Sequence, residues 1–365
     1  MKIAILTFHR AMNYGALLQA FALQKVLESQ ENQVDILDYR NEVIEQTYYF
    51  PSLKERHDIK SILKYFLQGK SEIKRRNRFE EFRNNQLKLS SNLYTEKNIE
   101  ESDDVYELFI TGSDQVWNYK AHDFDKNYFL QFVQNSNKKK SYAASIGLSE
   151  IPKEYEKQYF QLLNDYDICS VREKQGLQIL KEIGISNGRI DIDPSLLLKG
   201  DEWIKSLKIK RSEKRFIFAY YLELTPELKK FVEDLSEKTE YSVRYLGYAL
   251  RPPFNCKCEA MKTAGPVDFV EAMYNAEYVV TNSFHGTAFS INFNKQFFVE
   301  LLKKGSDVNS RLINILEYTG LDTRRIDNFE TIEDAVQAEI DWENINKKVD
   351  VMRNSSMSYI KEIGK

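Results

Sequence analysis

The run from Tyr278 to Phe289, Tyr-Val-Val-Thr-Asn-Ser-Phe-His-Gly-Thr-Ala-Phe, gathers an imidazole, a glycine and the hydroxyls of Thr281, Ser283 and Thr287 around one turn. Tyr278, Val279 and Val280 read as a short buried strand, and His285-Gly286-Thr287 opens an apolar helix-like run. A strand, a polar turn and a helix start bring His285 and several backbone N–H groups to the carboxyl edge of a sheet. Open α/β sheets bind ligands there, and a helix N-terminus favours anions. The chemistry to expect is an anion, phosphate above all, held beside a titratable group. A His at a helix start is also an ordinary structural feature. Gly286 and the neighbouring hydroxyls give this one its weight.

Other turns carry comparable groups. Thr7 to Ala16 lacks both G-x-G-x-x-G and G-x-x-x-x-G-K-[ST], which sets aside the usual dinucleotide and P-loop signatures. Asn13 suits a helix cap, Tyr14 follows it, and Gly15 permits close approach; a ligand contact and a plain cap with a tight turn fit equally. In Thr111 to Asn118, Ser113 and Asp114 follow an apolar strand. Asp114 is a candidate to accept a proton from a sugar hydroxyl, Trp117 to stack on a pyranose face, and Asn118 to orient a ligand. The alternative is a capping Asp beside a core Trp. Arg172 ends another strand, where it would fork onto a carboxylate or phosphate or close a salt bridge. Asp191-Ile192-Asp193 resembles the D-x-D metal signature of some glycosyltransferases. Two carboxylates hold Mg²⁺ only with help from phosphates and water, and Pro194 favours extended backbone before it, so this reads as a strand end at a hinge. Cys256-Lys257-Cys258 offers too few ligands for structural zinc. His9 is a candidate to face the cleft, whereas His57 and His122 read as exposed loop residues.

Elements of alternating type must hold these turns. Strands are expected at Lys2–Thr7, Gln33–Tyr39, Glu107–Gly112, Lys140–Gly147 and Ile168–Arg172, with a helix over Gly15–Glu28. A second series runs through Arg215–Leu222, a helix capped by Thr225 to Thr239, Ser242–Tyr248, a helix from Gly265-Pro266 to Asn275, Tyr278–Val280 and Lys295–Val299. Asn309–Tyr318 and Asp341–Ile363 read as helices, the latter with a candidate break at Asn354-Ser355-Ser356. Strand–helix alternation over 365 residues predicts an α/β chain of two Rossmann-like doubly wound domains facing a cleft, with a long C-terminal helix. The expected limits are 1–205, with a basic insertion at about 41–102, then 206–340 and 341–365.

Composition narrows the function classes. Hydrophobic residues make up 42% and aromatics 13%, enough for a sizeable core and against disorder. A net charge of -3 gives no global basic field for nucleic acid. Three cysteines form no disulfide framework. No run approaches the ~18 apolar residues of a membrane span, and residues 1–7 read as a strand rather than a signal peptide. Locally, 54–88 holds eleven Lys or Arg against five acids, interleaved with Ile59, Ile62, Leu63, Tyr65, Phe66 and Leu67. Such a basic amphipathic stretch suits an anionic bilayer or a solvated helix packed on its domain. The expectation is a soluble, cytoplasmic protein, with peripheral contact at the inner face of the cell membrane as an open option.

Taken in order, Asn13-Tyr14-Gly15-Ala16, Gly112 to Asn118, Ser170-Val171-Arg172-Glu173, Asp193-Pro194-Ser195 and Ser283-Phe284-His285-Gly286-Thr287 resemble the polysaccharide pyruvyl transferase family. The resemblance implies a two-domain architecture similar to GT-B glycosyltransferases. It also implies transfer of pyruvate from phosphoenolpyruvate to a sugar, giving a ketal across two hydroxyls. Family members decorate capsular, exopolysaccharide or cell-wall glycans, often lipid-linked, so a polyprenyl-diphosphate-linked acceptor is expected. Many members read Arg-Leu/Phe-His-Gly, where the Arg helps hold the donor; here Ser283 stands at that position. Arg311 is the leading replacement, ahead of Lys303, Lys304 and Arg251.

This chemistry needs an acid, a base and a phosphate clamp, and calls for no metal or organic cofactor. The expected roles are His285 as proton donor or phosphate-stabilising cation, Asp114 as base, and Arg172 with Arg311 on the carboxylate and phosphate. Asn13, Tyr14, Gly15, Ser113, Trp117, Asn118, Ser283, Gly286 and Thr287 complete the expected binding surface. Two rivals stand beside it: a nucleotide-sugar-dependent GT-B glycosyltransferase, which would use the same cleft for a diphosphate, and a non-catalytic glycan-binding protein.

Overall fold

A computed structural model describes residues 1–364 apart from 56, 248–250, 304 and 305, and leaves out the side chains of 54, 60, 61, 64 and 306–308. The basic side chains expected at 54, 56, 60 and 64, the strand end at Tyr248 and Lys304 lie outside the described residues.

Short apolar runs buried on both faces make the strands of parallel sheets. β1 (Lys2–Leu6), α1 (Tyr14–Glu28), β2 (Gln33–Tyr39), α2 (Glu42–Thr47), α3 (Ile59–Gln86), β3 (Leu89–Tyr94), β4 (Leu108–Thr111) and β5 (Lys139–Ser141) build the first sheet. Its order is β3-β2-β1-β4-β5, every pairing parallel. Single bridges from Ala144 to Asp114 and to Val171 lead on to a further parallel pair. That pair follows α4 (Lys153–Leu163) and consists of β6 (Cys169–Val171), α5 (Lys174–Glu182) and β7 (Gly188–Ile190). The stretch expected as an insertion is therefore the β2-to-β3 crossover. α3 is its helix, and β3 is an edge strand of the sheet. The strand expected over Lys140–Gly147 stops at Ser141, because Ala143 takes φ 45° and breaks the extended run.

α6 (Gly200–Leu207) leads into the second half, made of β8 (Phe216–Tyr220), α7 (Pro226–Thr239), β9 (Ser242–Tyr245), β10 (Cys258–Ala260), α8 (Pro266–Asn275), β11 (Tyr278–Thr281), α9 (Phe284–Asn292) and β12 (Gln296–Val299). The order β10-β9-β8-β11-β12, again all parallel, repeats the first sheet's winding. α10 (Ser306–Thr319) and α11 (Ile332–Gln337) follow, and α12 (Trp342–Ile363) returns to the first half. Tyr359 donates to the Ser141 carbonyl at 3.1 Å, Ser356 to Asp191 at 2.8 Å, and Arg353 to the Leu196 carbonyl at 2.8 Å. α12 is continuous through Asn354-Ser355-Ser356; no break occurs because Ser356 faces inward onto Asp191 instead of competing for its own backbone.

α1 lies at the seam between the halves and is buried on nearly every face, as its mostly apolar sequence requires; the buried Gln19 and Gln24 are hydrogen-bonded, to Thr7 Oγ1 and the Val34 carbonyl. One apolar cluster runs from Ile3, Leu17 and Phe21 across to Phe218, Phe269 and Phe289. Trp203 bridges Phe21 (ring centroids 5.5 Å) and Phe289 (5.1 Å), and Tyr14 stacks on Phe269 at 5.3 Å. Each such side chain contributes about 1.5–3 kcal/mol by leaving water, so the two halves share one core.

Candidate active site

In a doubly wound sheet the strand order reverses beside the first strand, and the two loops that part there leave a crevice. The reversals here lie at β1/β4 and at β8/β11. The loops leaving those four strands face one another across a cavity of about 360 Å³. Phe8, Ala11 and Asn13 come from the first loop, Asp114, Gln115 and Lys120 from the second, Tyr220 and Leu222 from the third, and Ser283, Phe284 and His285 from the fourth. Arg311 of α10 and Tyr48, just after α2, complete the wall.

Asn13 caps α1, accepting from Ala16 N at 3.1 Å, which fixes it at the cavity rim. Asp114 sits in the left-handed region at φ 71°, and its main-chain oxygen accepts from Ser145 N at 2.8 Å. Ser283 is the N-cap residue of α9 but makes no side-chain capping bond, and the first-turn residues Phe284 and His285 line the cavity. First-turn N–H groups have no partner within their own helix and attract negative charge.

His285 is packed so tightly that a methyl group on Gly15 would come within 2.0 Å of its Nδ1. Its Nε2 is buried without a hydrogen bond among the described residues, 4.0 Å from Asp193 Oδ2. Burial lowers the imidazole pKa below its ordinary 6.5; Asp193 opposes this and Arg172 adds to it. His285 is thus neutral at pH 7. Arg311 is half-buried, and its Nε, itself buried, finds no acceptor among the described residues. Burial and then the neighbouring Arg172 charge lower its pKa, yet a guanidinium stays a cation near neutrality. A cation with a buried, unpaired donor on a cavity wall suits an anion.

Arg172 lines a second chamber of about 390 Å³, which meets the first at Phe284 and Arg311. Its Nη1 donates to Asp193 at 2.5 Å, its Nη2 lies 3.8 Å from Asp114, and its guanidinium covers the Phe284 ring at 5.0 Å. Nε and Nη2 find no hydrogen-bond partner among the described residues. Burial works against its charge, but Asp193, Asp114 and Glu173 outweigh that and raise its pKa. Burial likewise works against the Asp193 carboxylate, and the Arg172 charge, with a hydrogen bond from Ser195, overcomes it.

The structure thus brings Asn13, Asp114, Ser283, His285 and Arg311 to one cavity, with Arg172 directly behind it. The other expected contacts are placed differently. Trp117 is fully buried and packs on Phe129 and Tyr166, so it is a core residue and offers no stacking face. Asn118 turns into its own loop, accepting from Lys120 N at 3.1 Å. Ser113 is buried and donates to the Ala143 carbonyl at 2.7 Å. Tyr14 ties the halves together, donating to the Ala264 carbonyl at 3.0 Å. Thr287 is buried and donates back to the Ser283 carbonyl at 3.3 Å, while Gly15 and Gly286 are packing positions, against His285 and Thr281. Lys303 pairs with Glu227 at the surface, and Arg251 is exposed. His9 and His122 are buried rather than facing cleft or solvent.

Sequence reasoning missed several groups. Tyr48 reaches the cavity through the fold-back of α2, and its hydroxyl bonds to Asn13. Tyr220 bonds to Ser283; burial raises its pKa to about 12. Glu173 gathers Ser145 Oγ (2.9 Å), Ile146 N (3.1 Å) and Gly147 N (3.3 Å), and so holds the loop behind Asp114. A signal for Tyr220 was available in Phe216 to Tyr220, an apolar strand ending in a polar aromatic residue. Asp191 and Asp193 serve different partners, Ser170 with Arg189 and Arg172 with Ser195 respectively.

Comparison with known proteins agrees with this architecture. Along its whole length the chain is similar to a UDP-GlcNAc 2-epimerase from Neisseria meningitidis bound to UDP-GlcNAc, with 10% identity, 100% of this chain and 99% of that one covered, and a TM-score of 0.50. At that identity the likeness concerns the fold, two facing parallel-sheet halves of the GT-B kind. S. aureus MnaA with UDP (14% identity, 95% and 90% covered, TM-score 0.49) and Arabidopsis thaliana UGT89C1 complexed with quercetin (10%, 100% and 99%, 0.47) are also similar. No curated protein matches the sequence. The pattern of one family does match, over residues 13–300, a span that takes in Asn13 and the three later loops around the cavity: the chain belongs to the polysaccharide pyruvyl transferase family.

Proposed function

We propose that this protein transfers pyruvate from phosphoenolpyruvate to two hydroxyls of a sugar in a surface-polysaccharide precursor. The acceptor in this reading is carried on polyprenyl diphosphate, at the inner face of the cell membrane. The observation that carries the proposal is the buried Nε of the Arg311 guanidinium, without an acceptor among the described residues, beside His285 and the start of α9. Phosphoenolpyruvate is a compact, multiply charged anion and matches that need.

In the reaction, the enol CH₂ carbon gains a proton and becomes the methyl group. One sugar hydroxyl oxygen bonds to the neighbouring carbon and loses its proton. The C–O bond to phosphate breaks, and the second hydroxyl closes the ketal as inorganic phosphate leaves with a proton. Arg311 and the α9 first turn hold the donor's negative charge. His285 is neutral until the anion arrives, whose charge raises its pKa and loads it as the acid. Asp114 takes the hydroxyl proton. Arg172, gripping Asp193 and lying close to Asp114, holds both carboxylates in place.

The test is incubation with phosphoenolpyruvate and galactose-, mannose- and glucose-type acceptors, following phosphate release and the glycan's mass. Acceptor-dependent phosphate release with a gain of one pyruvyl ketal is expected. Thermal protection by uridine nucleotides and none by phosphoenolpyruvate would replace this reading with nucleotide-sugar transfer. Acceptor binding with no phosphate release would leave a glycan-binding protein.

A further inference from the structure

We propose that the N-terminal half of α3 lies flat on an anionic lipid bilayer. The two halves of this helix differ sharply. Its C-terminal half is anchored at the seam: Phe79 and Phe82 are buried, Phe79 packs on Tyr14 at 5.0 Å, Arg78 pairs with Asp268, and Arg83 donates to the His9 carbonyl at 3.1 Å. Its N-terminal half displays Ile59 (84% exposed), Leu63 (57%), Phe66 (66%) and Leu67 (51%), with Ile73 (44%) just beyond. Positions 59, 63, 66 and 67 follow the i, i+4, i+7, i+8 spacing of one helix face. Seven of the fifteen large apolar side chains exposed among the described residues lie between 49 and 73. An apolar surface concentrated like this marks an interaction site.

Charge selects the occupant. Residues 59–78 hold seven Lys or Arg and a single acid, Glu72, in a chain of net charge -3. Glu72 is already engaged by Arg75 at 3.0 Å and Arg76 at 3.1 Å, while Lys70 and Lys74 are exposed. Two copies meeting through this face would bring like charges together. Acyl chains beneath anionic headgroups satisfy the apolar face and the basic flanks at once. The helix also touches the cleft, since Arg76 donates to the carbonyl of Tyr48 in the cavity wall. Docking would hold that wall at the lipid surface. This inference stands on the helix face and holds whatever reaction the cleft performs.

The experiment is sedimentation of the full chain with phosphatidylcholine vesicles, with and without phosphatidylglycerol. Binding to the anionic vesicles should exceed binding to neutral ones by roughly tenfold or more and weaken as salt is raised. A Leu63→Asp/Phe66→Asp/Leu67→Asp variant should lose about a hundredfold in binding, and Lys70→Glu/Lys74→Glu roughly tenfold. Both should melt like the parent, because the replaced side chains are exposed. Equal sedimentation with and without phosphatidylglycerol, or an unchanged triple variant, overturns the proposal. So does a concentration-dependent dimer that the triple variant abolishes, which would assign this face to a second copy.

Discussion

His9 and His285 occupy comparable places. Each follows an interior parallel strand, β1 or β11, that borders the point where its sheet's order reverses. Burial lowers both imidazoles below 6.5. They differ in what surrounds them. Both ring nitrogens of His9 have a polar partner, Nδ1 the Thr7 carbonyl at 3.1 Å and Nε2 Asp38 at 3.1 Å, with the ring N–H donating to one of them, and Arg10 completes the cluster on Asp38 at 2.8 Å. His285 keeps Nε2 unpaired at a cavity wall. Position relative to the sheet makes a histidine eligible for chemistry; an unfilled valence makes it available.

The sharpest way to break this comparison is to delete each ring in turn. His285→Ala should lower turnover by roughly two to four orders of magnitude, with a melting curve close to the parent's. His9→Ala should do the reverse. It strips Asp38 of one of its partners in a buried cluster, at a cost of about 2–4 kcal/mol, and leaves turnover per folded molecule unchanged. Steady-state kinetics and thermal melts of both variants decide the matter.

Acid should expose what the rings share. Their folded pKa values are depressed, as is that of His122, which burial takes down to about 4. Unfolded imidazoles take up protons near 6.5 while the native ones resist. The stabilisation is therefore complete above pH 6.5 and fades as pH falls toward each folded value. For His122 alone the loss is on the order of 3 kcal/mol by pH 4, read from denaturant midpoints against pH. Phosphoenolpyruvate should then separate the rings, because its binding raises the His285 pKa and draws in a proton. Calorimetry in buffers of different ionisation enthalpy should show that uptake, and His285→Gln should abolish it.

Arg311→Ala should weaken phosphoenolpyruvate binding by about ten- to a hundredfold, the range for a hydrogen bond to a charged group. Arg311→Lys should recover only part, since a point charge replaces a fork. The smallest effect belongs to Gly15→Ala. Its methyl group overlaps the imidazole, so turnover should drop by roughly tenfold with KM nearly unchanged. Equal turnover would mean that the His285 ring position is not critical.

The alternation of strands and helices was legible because each element has its own period, and Asn13, Asp114, Arg172 and His285 were legible because each ends or follows a strand. Burial was not. Trp117 and Ser113 lie in the same turn as Asp114, and only packing against Phe129 and the Ala143 carbonyl turns them inward. Tyr48 was hidden for the opposite reason: it belongs to a crossover that folds back over the cleft. The 41–102 stretch read as an insertion because β3, Leu-Ser-Ser-Asn-Leu-Tyr, is an edge strand with little apolar signal.

The continuous core beneath the cleft has a bearing on traffic. Prising the halves apart would expose Trp203, Phe21 and Phe289 to water, so a wide hinge is a poor gate for this molecule. Among the wall segments, α2 is held by a single buried side chain, Ile44. Small ligands would therefore enter and leave past α2, a door on the rim of a frame that stays shut.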